Sequence, residues 1–266
     1  MTQRSTDRIV TTHCGSLPRP PDLVTLLAAE EAGEEVDADA LRERVAASVA
    51  EVVRKQADAG IDLVTDGEHS KMSFTTYTAS RLSGLTRATG QAGGERGPTR
   101  DSLQFGAVYE EMRAMYAARP SNIARRRSRA TFVCTGPIAY TGQARVQADI
   151  DNLKASMQSV GTETGFMTAL SPTNVAPHYR NEYYRTEEEY LIAIADAMHT
   201  EYAAIVDAGL ILQIDDPRLA THYDRSPGQS VEDCRKFMAY AVEVVNHALR
   251  GIPEERVRFH TCYSVN

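Results

Sequence analysis

The chain lacks a G-x-G-x-x-G run after its first strand-like segment, and it has no phosphate-binding glycine loop. Both absences argue against a doubly wound nucleotide-binding sheet. No apolar stretch approaches the length of a membrane span, and the first eight residues contain no signal-type hydrophobic region. Cysteine is scarce: four residues, at 14, 134, 234 and 262, are too widely spaced for a disulfide framework and fit reduced thiols. Positive charge is in deficit, giving a net −7, which disfavours a nucleic-acid or membrane-surface partner. The basic run Arg125-Arg126-Arg127-Ser128-Arg129 reads as a solvated loop face. There is no internal repeat and no linker. The expectation is a cytoplasmic protein forming one domain over residues 1–266, with 42% hydrophobic residues available for a large core.

Short β-branched runs alternate with helical stripes. Ile9-Val10-Thr11-Thr12 reads as a strand that runs into the loop from His13 to Pro21. Asp37 or Asp39 caps a helix whose stripe is Leu41, Val45, Val49, Val52 and Val53, and Gly60 ends it. Ile61–Thr65 is a second strand, opening into Asp66-Gly67-Glu68-His69. After a glycine-rich excursion (Gly90 to Gly97) and a helix over Leu103–Ala118, strands follow at Ala130–Cys134, Glu163–Leu170, Leu210–Ile214 and Val257–Cys262. Helices lie between them, at about Val146–Val160, after the capping pair Thr186 and Glu189, and after Ser230. The stripe of that last helix is Phe237, Met238, Val242, Val245 and Leu249. Six strands alternating with helices predict an α/β fold of (β/α)8 barrel type, short by two units.

In such a barrel the active site lies at the C-terminal ends of the strands. Those ends carry His13 and Ser16, Asp66 and Glu68, Cys134, Asp215 and Asp216, then His260 and Cys262. Period-two alternation puts His260 and Cys262 on one side of an extended chain, and a nitrogen beside a sulfur suits zinc. A buried cysteine and a hydrogen-bonded histidine would explain the same pair without a metal. His13 and Asp66 are the candidate acid–base residues, with His69 and Glu68 as further sources of a base.

The segments Thr12-His13-Cys14-Gly15-Ser16-Leu17-Pro18-Arg19-Pro20, Asp66-Gly67-Glu68, Asn181-Glu182-Tyr183-Tyr184, Gln213-Ile214-Asp215-Asp216-Pro217 and His260-Thr261-Cys262 together resemble the catalytic barrel of cobalamin-independent methionine synthases. The likeness is nearer to short single-barrel relatives, which include epoxyalkane:coenzyme M transferase. The resemblance implies a zinc-dependent transfer of a methyl or other alkyl group from a small-molecule donor to a thiol. It also implies His260 and Cys262 as two zinc ligands, with Ser16, Glu68 and Asp215 holding the thiol substrate. The family's remaining zinc ligands and last two barrel units have no counterpart here. The expectation is therefore a barrel truncated after about six units, or one completed by a second polypeptide or a homo-oligomer. Two rivals remain open: a non-catalytic partner subunit, and a decarboxylase or lyase using the rim carboxylates and Arg19.

Overall fold

Runs of alternating strand and helix pattern can bury their apolar faces only by stacking in layers. In the computed structural model they do so as a parallel sheet clad by helices; residues 8–74, 76–88, 97–118 and 131–262 are described. The sheet consists of β1 (Val64–Thr65), β4 (Gly165–Leu170), β6 (Ile211–Asp215) and β7 (Val257–His260), hydrogen-bonded in that order and all parallel. Every residue of β4 and β6 is buried, as expected for parallel strands covered on both faces. Thr12 joins the β1 edge through one parallel bridge to Leu63, so the expected first strand contributes a single rung.

Helices α2 (Ala38–Asp58), α5 (Gln143–Val160), α7 (Glu187–Asp207) and α9 (Val231–Ala248) each pack on the next. Their apolar stripes are largely buried: Leu41, Val45, Val49, Val52 and Val53 on α2 as expected, and on α7 the stripe that the pattern predicts at Tyr190, Leu191, Ile194, Met198, Tyr202, Ile205 and Val206, of which Val206 is half-buried. Asp37, Thr186 and Ser230 cap their helices as expected, each accepting main-chain N–H bonds. Of the helices that begin at proline, the two longest escaped the pattern reading, α1 (Pro21–Ala32) and α8 (Pro217–Arg225). Both place Pro in the first turn, where its missing N–H costs nothing.

Two expectations are corrected. The Ala130–Cys134 strand forms as β3 (Phe132–Cys134), but outside the main sheet. It pairs antiparallel with β2 (Leu85–Arg87) and parallel with β5 (Tyr179–Asn181), so Cys134 does not share a sheet with Asp215 and His260. Pairing is a non-local choice that a run of three strand-forming residues does not encode. The stripe on α9 also divides: Val245 is buried, while Val242 is 45% exposed. Among the described residues the barrel is not closed, and β7 is an edge strand. Beside it lies an open groove of about 530 Å3, lined by Val242, Val245, Leu249, Ile252, Val257 and Phe259. The basic run Arg125–Arg129 and most of the glycine-rich excursion fall outside the described residues. Among those described, no helix is long and apolar enough to cross a membrane.

A buried ionic knot ties the loop after β1 to the helices. Arg81 contacts Asp149 of α5 at 2.5 Å and Glu201 of α7 at 3.3 Å. Glu201 also accepts hydroxyl bonds from Tyr77 at 2.9 Å and Tyr140 at 2.6 Å, so its charge is fully partnered.

Candidate active site

Register fixes the site. Leu170, Asp215 and His260 form one row across β4, β6 and β7, with Thr168, Gln213 and Arg258 in the row below. Residues paired across a parallel sheet share a face, so Asp215, His260, Thr168, Gln213 and Arg258 all project to the interior side.

Glu68 stands at the centre. The turn after β1 bends through two consecutive left-handed residues, Gly67 at φ 62° and Glu68 at φ 59°. Glu68 is the one non-glycine residue with positive φ among those described, a strained conformation of the kind that collects at functional sites. Gly67 is required there: a Cβ would lie 3.0 Å from Leu17 Cβ. The Glu68 N–H donates to Asp66 Oδ1 at 3.0 Å, and its carbonyl accepts both Nε and Nη2 of Arg19, at 3.1 and 2.7 Å. Its side chain is 1% exposed. One carboxylate oxygen accepts the Ser16 hydroxyl, and the other accepts Thr168 Oγ1 at 2.9 Å.

Asp215 faces the same space. Burial pushes its carboxyl up to about 7, and the nearby Glu68 charge adds to the rise. The bond from Gln213 Nε2 at 2.6 Å pulls the other way, as do Lys71 and Arg258. Its Oδ2 accepts no hydrogen bond among the described residues. Burial and then Arg258 hold the His260 imidazole below its usual range, with Glu68 opposing them. A neutral ring is the form that binds metal. Two buried carboxyl groups, two hydroxyls and an imidazole thus converge near the C-terminal edge of the sheet, an arrangement rich in hydrogen-bond acceptors.

The other expected residues are placed less centrally. Asp66 is buried, and its Oδ1 is engaged by the Glu68 N–H and the Thr65 hydroxyl. Burial raises its carboxyl above the ordinary range. His13 is half-buried, and its carbonyl accepts Arg258 Nη2 at 3.1 Å. His69 hydrogen-bonds Ser48 of α2 at 2.7 Å, and burial drives it down to about 4. Cys262 lies two residues beyond the end of β7 and is half-buried. Thr168, Gln213 and Arg258 were not among the expected site residues. The signal was parity: Gln213 and Arg258 precede Asp215 and His260 by two, which puts them on the same face.

His260 and Cys262 supply one nitrogen and one sulfur, half of a tetrahedral zinc set. Among the described residues, no group of three or more His, Cys, Asp or Glu side chains is arranged to hold a metal ion. The described donors therefore do not make a complete zinc site.

Comparison with known proteins gives a consistent picture. Residues 9–171 match the family model of the cobalamin-independent synthase catalytic domain. A methionine synthase of Saccharolobus islandicus is 28% identical over 254 residues, covering 95% of this chain and 62% of the relative. One from Sulfolobus acidocaldarius is 25% identical over 257 residues, covering 95% and 61%. The backbone resembles a B12-independent methionine synthase of Shewanella sp. W3-18-1, solved with selenomethionine, with a TM-score of 0.65 at 19% identity over 96% of this chain and 61% of that one. A putative vitamin-B12 independent methionine synthase of Listeria monocytogenes gives 0.63 at 20% identity. The chain spans about three fifths of the length of the curated relatives it matches. A family match over more than half of its residues, together with a shared parallel α/β architecture, makes this chain a member of the cobalamin-independent synthase catalytic-domain family.

Proposed function

We propose that this chain carries the thiol-binding part of a transferase that moves a methyl or other alkyl group from a small-molecule donor to a thiol. The observation that carries the reading is the convergence of Ser16, Glu68 and Asp215 at one strand-end rim, with Thr168 beneath it. Ser16, Glu68 and Asp215 hold the polar groups of the thiol substrate, an amino-acid thiol such as homocysteine. Lys71 and Arg258 already bring positive charge near the Glu68 and Asp215 carboxyls, and Asp215 Oδ2 remains as an acceptor for an ammonium group, which provides charge and donors. His13 and Asp66 are the proposed acid–base residues. A longer alkyl group, as in the epoxyalkane:coenzyme M resemblance, falls within the same proposal, and the reaction is placed in the cytoplasm.

His260 and Cys262 are the proposed protein ligands of a zinc ion whose chemistry is to keep a bound thiol ionised at neutral pH. Since they are half a set, further ligands come from outside the described residues. A second polypeptide or another copy of the chain completing the barrel is the partner we propose, supported by the open apolar groove beside β7.

The test combines zinc titration with alkyl transfer to homocysteine, for the chain alone and for any assembly that completes the barrel. Weak zinc binding by the chain and tight binding by the assembly are expected, both reduced about tenfold or more by Cys262→Ser. Transfer at an unchanged rate in a metal-free Cys262→Ser assembly would overturn the zinc proposal.

A further inference from the structure

Arg258, half-buried beneath the rim, is assigned no role by the proposed chemistry, yet it makes three hydrogen bonds and one ring contact. Arg258 Nε donates to Gln213 Oε1 at 2.7 Å, Nη1 to Thr12 Oγ1 at 3.2 Å and Nη2 to the His13 carbonyl at 3.1 Å. Its guanidinium stacks 3.6 Å from the Phe166 ring centroid. Gln213, 1% exposed, then donates from Nε2 to Asp215 Oδ1 at 2.6 Å and to the Cys14 carbonyl at 2.8 Å.

The direction of this chain of bonds follows from donor counting. A guanidinium has donors only, so the amide oxygen of Gln213 must face Arg258. The amide NH2 must then face Asp215 and Cys14. Reversed, the amide would set NH2 against guanidinium and its oxygen against a carboxylate. Arg258 therefore selects one of two amide orientations, and that orientation presents an N–H to Asp215 Oδ1 while leaving Oδ2 toward the site. The same guanidinium holds the Thr12 hydroxyl and the His13 main-chain carbonyl, three to four residues before Ser16.

We propose that Arg258, acting through Gln213, is a positioning residue that aims Asp215 and the Ser16 loop at the ammonium group of an amino-acid thiol. This rests on the thiol-transfer reading, so the test has one arm that needs no ligand. In selectively 15N-glutamine-labelled protein, Gln213 is assigned by its loss in Gln213→Met. Two distinct, exchange-protected side-chain amide protons are expected in the parent and in Arg258→Lys, with loss of protection in Arg258→Leu. Unchanged Gln213 signals in a folded Arg258→Leu would overturn the positioning role, whatever the substrate.

The second arm measures calorimetric binding of homocysteine and of its analogue lacking the amino group. Arg258→Leu should weaken homocysteine about tenfold and leave the analogue within about twofold, with Arg258→Lys in between. Equal weakening of both would mean a structural role only and would sink the proposal. If the parent fails to prefer homocysteine, it is the ammonium-binding role of Asp215 that fails, and the amide signals alone decide whether Arg258 orients Gln213.

Discussion

At Glu68 one residue performs three tasks: it completes a left-handed turn, anchors Arg19 through its carbonyl, and accepts the Ser16 and Thr168 hydroxyls. Two of these belong to the backbone and survive Glu68→Gln. The substitution should therefore lower kcat/KM, or thiol affinity, by at least tenfold while moving stability by less than about 1 kcal/mol. A variant that melts early and binds normally would mean that Glu68 serves the fold. Asp215 gives a pH-dependent test. Its folded carboxyl is raised to about 7, above the ordinary value near 4, so the folded protein holds a proton that the unfolded chain releases. That contribution is fully present below about pH 4 and is lost as pH rises toward 7. Asp215→Asn removes the dependence, and its stability relative to the parent should improve by up to about 4 kcal/mol between pH 4 and pH 8 in urea titrations. A constant difference across that range would contradict the assignment.

Among the elements, α7 shows how a helix can be half right when read from its pattern. Its apolar stripe is buried as expected, but the same face also carries Glu201 at 1% exposure. A glutamate on a buried face is tolerated because Arg81, Tyr77 and Tyr140 converge on it from a loop and from the segment after β3. Glu201→Gln leaves Arg81 with one carboxylate fewer and turns an amide toward two hydroxyl donors. A loss of about 3–5 kcal/mol is expected from equilibrium unfolding. A loss under 1 kcal/mol would mean that the knot relaxes or takes up water. The short strand β3 makes the complementary point: its strand-forming residues were legible, but its partners β2 and β5 were not, since β2 comes from a stretch without a strand pattern.

At the scale of the whole molecule, the decisive feature is that, among the described residues, β7 has no strand on its outer side. Edge strands of a parallel sheet leave main-chain groups unpaired and apolar faces uncovered, and both favour association. Phe259 is 47% exposed and Val242 45% exposed on the two walls of the groove beside β7. The double substitution Val242→Asp with Phe259→Asp should shift sedimentation from associated species to monomer, while single charge changes on the far face of α2 leave it unaltered. A strictly monomeric parent at micromolar concentration would remove self-association as the cover for this groove.

The sequence by itself determined the order of elements, the helix caps, most helix stripes and the identity of the rim residues Ser16, Glu68, Asp215 and His260. The elements, caps and stripes depend on neighbours three or four positions apart or on strand parity, whereas the rim residues stood at expected strand ends in segments that resemble the family. Only the tertiary structure decided that β3 leaves the main sheet, that α9 exposes part of its stripe, and that Thr168, Gln213 and Arg258 stand beneath the rim. Those outcomes depend on which strand lies beside which. Pairing is settled by contacts between residues tens to hundreds of positions apart, for which no local pattern exists.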